Sequence, residues 1–256
     1  MHPEKSTPPP TLDLTLVVPA LNEERNIAGT LAAISQVLSS SPGKSAEMLV
    51  VDDGSTDRTA AVVGEISGRD PRVVLIRNPR NLGLGASLQL AIARAAGRQL
   101  LIVPGDNDLP AATLTELIRN SDKADMVMCY FENREQRGRM RNILSTLFGL
   151  AYTTCFDVFP QYINGPCVYP VANLRGLRLF STRFSIVAEI NVKLLRQGVT
   201  FIEVASWRQV GMKGSSSFSL RNLGEAASVF CRLLYDVHVA NPQDYSRRPV
   251  RVTLDR

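Results

Sequence analysis

Four short apolar runs, at residues 14–18, 48–51, 73–76 and 100–103, each give way to a polar loop and then to a stretch with helical periodicity. A β-rich run of four or five apolar residues bounded by turn residues suits a strand buried on both faces, and parallel sheets covered by helices bury strands that way. The spacing predicts βαβαβαβ, with helices running from Glu23 to Leu38, over 58–67 and over 86–96. Asn22 is expected to cap the first helix, and Asp57 or Thr56 the second. The first strand is read as stopping at Pro19.

Such a sheet needs a large core, and 256 residues with 45% hydrophobic and 21% charged side chains supply one. The formal net charge of +5 suits phosphates, anionic small molecules or an acidic membrane surface, and argues no nucleic-acid partner. No apolar run of about 18 residues occurs, so no transmembrane helix is expected. Residues 1–12, beginning MHPEKSTPPP, lack the apolar core of a signal peptide and read as a disordered lead-in. Cys129, Cys155, Cys167 and Cys231 have no CxxC spacing and read as reduced structural thiols. A cytoplasmic location follows.

In open α/β sheets ligands bind beyond the carboxyl ends of the strands. Glu23, the Asp52-Asp53 pair and Asp106/Asp108 all stand at such ends and are expected to face one crevice. Asp106 and Asp108 are one residue apart where a strand loosens into a loop, so both carboxylates can reach one hard cation, Mg²⁺ or Mn²⁺. An ordinary turn built of Pro, Gly, Asp and Asn is the alternative reading of that segment.

The second half is less regular. A helix is predicted over 111–120, a fifth strand over 124–130, and a helix carrying Ile143, Leu144, Leu147 and Leu150. Arg134, Arg137, Arg139 and Arg141 precede it, either as a solvated face or as a clamp for phosphate. Residues 152–169 are aromatic-rich, read as core or as the lining of a sugar or lipid pocket. A helix over 186–197 carries Glu189 among apolar neighbours, either a tuned acid/base or a partly exposed helix residue. A strand over 199–204 leads to Arg208 and a flexible loop over 211–217 with Lys213. The final helix, 220–239, is amphipathic, with Leu233 and Val237 on its apolar face and Glu225, Arg232 and Asp236 opposite. Docking on its own domain or on a partner subunit is expected of it. Residues 241–256 read as a poorly ordered tail.

Taken as an ordered set, VVPALNEERNI (17–27), VVDDGSTDRT (50–59), RNPRNLGLGAS (77–87) and GDNDLP (105–110) resemble the family-2 glycosyltransferases of GT-A fold. Within them the chain resembles the polyprenyl-phosphate sugar transferases, such as dolichol-phosphate mannose synthase. The resemblance implies a Rossmann-like, mostly parallel central sheet with helices on both faces and a C-terminal amphipathic helix. It implies one domain over 13–240, with a nucleotide-sugar half (13–110), an acceptor half (111–219) and the C-terminal helix (220–240). It further implies inverting transfer from a UDP- or GDP-sugar to a polyprenyl phosphate or other lipid-linked acceptor, with Mg²⁺ or Mn²⁺ as cofactor. A soluble or glycan hydroxyl as acceptor, or a non-catalytic nucleotide-sugar-binding subunit, are the other readings.

By residue, Pro19, Leu21 and Glu23 match the loop holding base and ribose, and Asp52 and Asp53 the acidic pair beside the base. Gly83 and Gly85 match the turn near the nucleotide, and Asp106 and Asp108 the metal-binding DxD. Arg141 with Ser145 match a phosphate-contacting element, Glu189 an acidic residue after the acceptor loop, and Arg208 with Lys213 a basic loop over the donor phosphates. Asp108, Glu189 and Arg141 are the catalytic candidates, with Asp157 or Glu189 the base if the acceptor is a hydroxyl. In this chain Leu109-Pro110 follow the DxD directly, where the family offers a further polar ligand. Peripheral contact with the inner face of a membrane, and a homodimer or partner subunit through the last helix, are also expected.

Overall fold

The structure, a computed structural model, describes residues 11–41, 43–133, 139–207 and 220–253, with the backbone alone for 139–141 and 220–223. Among the described residues, β1 (Leu12–Ala20), β2 (Ala46–Asp52), β3 (Val73–Arg77) and β4 (Gly97–Ile102) alternate with α1 (Ile27–Ser39), α2 (Thr59–Ser67) and α3 (Leu84–Arg94). Then come α4 (Ala111–Arg119), β5 (Met126–Phe131), α5 (Arg139–Phe156), β6 (Cys167–Pro170), α6 (Val171–Gly176), α7 (Ile186–Arg196) and β7 (Thr200–Ser206). The chain closes with α8 (Leu220–Tyr235), a π-helical turn (Asp236–Ala240) and β8 (Val250–Arg251). All eight strands share one sheet in the order β3-β2-β1-β4-β6-β5-β7-β8, parallel except where β6 runs antiparallel between β4 and β5.

Alternate residues of each central strand feed opposite layers, as the period of two requires. On β1, Leu16 and Val18 join α1's Ile27, Leu31 and Ile34 and α4's Leu114, Leu117 and Ile118. Val17 faces the other way, into a layer built from α3, α5, α6, α7 and α8. Burying each such aliphatic side chain stabilises the fold by about 1.5–3 kcal/mol. This is the expected α/β fold with helices on both faces.

Several local readings need correction. β1 runs past Pro19 to Ala20, because Pro19 lacks only an N–H and its carbonyl still accepts from Gly105 N (3.3 Å). The first helix begins at Ile27 rather than Glu23, and Asn22 sits at φ 58° with its side chain turned to the next loop instead of capping. β6 was hidden in the aromatic-rich segment, being four residues long and bounded by Pro166 and Pro170. The tail from Asn241 is not a loose end: Val250–Arg251 pair with β7, Tyr245 is buried, and Arg196 Nε donates to the Tyr245 carbonyl at 2.8 Å. The last helix does dock on its own domain, through Phe230, Leu233 and Val237. Asp236, read as part of its solvent face, turns inward to Lys193.

Candidate functional site

β1 lies between β2 and β4, so the strand order reverses there and the carboxyl ends of β1 and β4 flank a crevice. Its rim is one hydrogen-bonded unit. Asn22 N donates to Ser55 Oγ (2.9 Å), Glu23 N to Thr59 Oγ1 (2.8 Å) and Glu24 N to Asp57 Oδ2 (3.1 Å). In return Thr56 N donates to Asn22 Oδ1 (2.9 Å) and Arg58 N to Glu24 Oε2 (3.0 Å). The loops after β1 and β2 are thereby zipped together, with Leu21 exposed above them and Glu23 accepting from Asn26 Nδ2 at 2.7 Å. Asp57 Oδ1 also accepts from Thr59 N in an Asx-type turn just ahead of α2, whose N-cap is Arg58, so neither Asp57 nor Thr56 is the cap expected there.

Asp52 ends β2, Asp53 follows it, and both are buried. Asp52 accepts from Ser55 N (2.9 Å) and pairs with Arg77 Nε (3.1 Å), whose side chain is 59% exposed. Asp53 accepts three hydrogen bonds, from Asn78 Nδ2 (2.8 Å), Leu82 N (2.9 Å) and Gly83 N (2.8 Å). It thus ties the strand end to the entrance of α3. Gly83 and Gly85 serve that turn by letting another backbone approach: a Cβ on Gly83 would lie 2.4 Å from the Thr182 carbonyl, and one on Gly85 2.4 Å from the Ser181 carbonyl. Gly83 also sits at φ 95°.

Asp106 and Asp108 follow β4 on a loop pinned to both neighbours. Val103 N donates to Val17 O and Gly105 N to Pro19 O, while buried Thr30 Oγ1 of α1 donates to Gly105 O at 3.0 Å. Asp108 N donates to Asp106 Oδ1 at 3.1 Å, and Asn107 takes φ 58°, so one tight turn carries both half-buried carboxylates. Their donors are all oxygen, which fits a hard divalent cation; Asp106 and Asp108 would hold it, with further oxygen donors needed to complete its shell. Among the described residues no group of three or more His, Cys, Asp and Glu side chains could complete a protein-only shell.

Glu189 stands apart from this rim. It is fully buried on the first turn of α7, accepting from Phe180 N (3.1 Å), Ser181 N (2.9 Å) and Lys193 Nζ (2.8 Å). Such a carboxylate orders backbone. Asp157 lies at the other end of the sheet, beside Arg196 (3.7 Å) and Arg248 (3.3 Å), because α7 closes just before the amino end of β7. Ser145 is half-buried on α5. The side chain of Arg141, and Arg208 and Lys213 altogether, lie outside the described residues.

Reading the sequence missed Asn78, Ser87, Thr59 and Lys193. Asn78 and Ser87 bond each other at 3.0 Å beneath Asp53, and both lie inside RNPRNLGLGAS, where their polarity at buried positions was the available signal. Lys193 was legible as the i+4 partner of Glu189.

Residues 15–167 match the family model described as Glycosyl transferase family 2. A dolichyl-phosphate beta-glucosyltransferase of Trichomonas vaginalis is 30% identical over 152 residues, covering 55% of this chain and 46% of that protein. A dodecaprenyl-phosphate galacturonate synthase of Rhizobium johnstonii is 31% identical over 144 residues, covering 54% and 41%. The matches thus span less than half the length of these curated relatives. Among solved structures, glucosyl-3-phosphoglycerate synthase from Mycobacterium tuberculosis in complex with Mg²⁺ and UDP superposes with TM-score 0.63 at 18% identity, over 88% of this chain and 79% of that one. Mannosyl-3-phosphoglycerate synthase from Rubrobacter xylanophilus gives 0.65 at 18% identity, over 91% and 75%. These likenesses show the GT-A fold.

Proposed function

Since the chain belongs to glycosyl transferase family 2, we propose that it moves a sugar, with inversion, from a nucleoside-diphosphate sugar to a phosphorylated, lipid-linked acceptor. The observation that carries this reading is the convergence of four carboxyl-end loops, those of Leu21-Glu23, Asp52-Asp53, Gly83-Gly85 and Asp106-Asp108, on the β1/β4 switch point. The named Mg²⁺, UDP and lipid-phosphate associations of the relatives support it.

In this reading Leu21 and the zipped rim hold the base and ribose, above Asp52 and Asp53. Asp53 holds the α3 entrance in place through Leu82 and Gly83 N–H. Asp106 and Asp108 would hold a divalent cation, which when bound neutralises charge developing on the leaving diphosphate. A phosphate oxygen of the acceptor attacks the anomeric carbon from the face opposite that diphosphate, and the C–O bond to diphosphate breaks. An acceptor phosphate is already anionic and needs positioning rather than deprotonation, the part we assign to Arg141 and Ser145, with Arg208 and Lys213 over the donor phosphates.

The placement of both candidate bases agrees with a phosphate acceptor. Glu189 is spent on backbone and Lys193, and Asp157 is at the far end of the sheet. We further propose peripheral contact with an anionic membrane through α5, whose outer face shows Ile143, Leu147 and Leu150 at 54%, 56% and 60% exposure. No helix among the described residues is long and apolar enough to cross a membrane.

The test is a thermal-shift panel of UDP-, GDP- and dTDP-sugars with and without Mn²⁺, followed by transfer of labelled sugar to polyprenyl phosphate. A ligand at 100 times its Kd adds about 2.7 kcal/mol to the native state, so binding raises Tm. A flat response to every donor would overturn the reading.

A further inference from the structure

We infer that Lys193 and Asp236 are positioning residues for the donor crevice, coupling the C-terminal helix to the nucleotide loops; this rests on the sugar-nucleotide reading above. Lys193 is fully buried on α7 and bridges two carboxylates, Glu189 Oε1 at 2.8 Å and Asp236 Oδ2 at 2.7 Å. Its Nζ also donates to the Arg178 carbonyl at 2.5 Å. Asp236 belongs to the π-helical turn that ends α8, and its other oxygen accepts from Asn241 Nδ2 at 2.7 Å. The Phe180 ring receives Lys193 Nζ at 4.5 Å and the Arg232 guanidinium of α8 at 4.3 Å. Three side chains on two helices, Glu189 and Lys193 of α7 and Arg232 of α8, therefore converge on residues 178–181, and Asp236 reaches them through Lys193.

That segment in turn supports the crevice. Glu189 holds Phe180 N and Ser181 N, Gln89 Nε2 of α3 donates to Ser181 O at 3.1 Å, and Gly85 N donates to Thr182 O at 2.9 Å. The backbone contact at Gly83 and Gly85 leaves no room for even a methyl group. A shift of residues 180–182 therefore moves the first turn of α3, and with it the Leu82 and Gly83 N–H groups that hold Asp53. The path runs Asp236, Lys193, Glu189, residues 180–182, α3 entrance, Asp53, each link a hydrogen bond or an atomic contact. Buried ion pairs contribute little net stability, and apolar replacements of equal volume are often neutral. Geometry, rather than stability, is what this chain of contacts supplies.

The experiment measures the Kd of UDP and of GDP, each with Mn²⁺, by calorimetry at a temperature where circular dichroism shows every variant folded. The proteins are the wild type, Asp236→Ala, Asp236→Asn and Lys193→Arg. Asp236→Ala is expected to weaken the nucleotide that the wild type binds by about tenfold, equivalent to about 1.4 kcal/mol. Asp236→Asn, which keeps the shape and the Asn241 bond, covers the case in which the alanine variant fails to fold, and is expected to lose about threefold or more. Lys193→Arg, which keeps the charge, is expected to bind more tightly than Asp236→Ala. Lower Tm with wild-type Kd in the Asp236 variants would make the triad purely structural and overturn the inference alone. A wild type that binds neither nucleotide would overturn the donor reading and the inference with it.

Discussion

Glu189→Gln separates a carboxylate that orders backbone from one that takes a proton, because the two roles fail in opposite ways. Among the described residues Glu189 meets three donors: Phe180 N–H, Ser181 N–H and the Lys193 ammonium. Glutamine has the same shape but must turn its own NH₂ toward one of them. Removing one member of a buried ion pair costs about 3–5 kcal/mol. Lys193 keeps Asp236, which is 18% exposed, so the lower end applies, about 3 kcal/mol. At about 2–4 °C per kcal/mol for a chain of this size, Tm falls by about 6–12 °C. Turnover at saturating donor, measured well below that Tm, falls by less than about tenfold, whereas loss of a general base costs about 10²–10⁴. Thermal melts and labelled-sugar transfer on one preparation give both quantities. A variant melting within about 2 °C of wild type but turning over a hundredfold more slowly would refute the reasoning and restore Glu189 as the base.

Asp106→Ala with Asp108→Ala is expected to leave the apo melting temperature within about 2 °C while abolishing the Mn²⁺-dependent part of nucleotide binding, read by calorimetry with and without metal. Gly85→Ala, whose Cβ would lie 2.4 Å from Ser181 O, is expected to cost about 1–3 kcal/mol in urea melts and to weaken nucleotide binding. Gly64→Ala on α2, where nothing lies within 4 Å, should instead gain about 0.5–1 kcal/mol. The side-chain hydrogen bond from Arg72 holds the Asp70 carboxyl below its ordinary 3.8, so its stabilisation is present above that pH and lost as pH falls below it. Tm of the wild type should therefore fall more steeply than that of Asp70→Asn between pH 4 and pH 2. Leu147→Glu on the outer face of α5 should reduce co-sedimentation with anionic phosphatidylglycerol vesicles several-fold without lowering nucleotide affinity; unchanged sedimentation would remove α5 as the contact.

The first half of the chain, to which donor binding is assigned as a proposal, was legible because its signals are local. Each strand of β1 to β4 is an apolar run, each loop begins where that run ends, and the parallel order puts all four loops on one edge. What the loops do to one another was not legible. Asn22 reads as a helix cap from its neighbours, yet it bonds Thr56, 34 residues away, because the zipped loops offer it a better-placed N–H than the helix does. Gly83 and Gly85 read as a nucleotide turn, and only the fold reveals the backbone of 181–182 against them. β6 escaped because a four-residue antiparallel strand that follows Pro166 and ends in Pro170 has neither the length nor the alternation that marks a strand in sequence.

The acceptor chemistry turns on the same long-range contacts. A hydroxyl nucleophile requires a carboxylate that can reach it, and the two that sequence offered are committed elsewhere. Asp157 answers Arg196 and Arg248 at the amino end of the sheet, while Glu189 answers two N–H groups and a lysine inside it. A carboxylate free of proton transfer can be buried completely, and a buried carboxylate then needs a buried cation, which is Lys193. Lys193 in turn reaches Asp236 and so fixes the last helix to the segment that shapes the α3 entrance. Among the described residues neither candidate base is placed to take a proton from a hydroxyl, so the proposed phosphate acceptor, which brings its own negative charge, would leave α7 to support the α3 entrance instead of taking part in the chemistry.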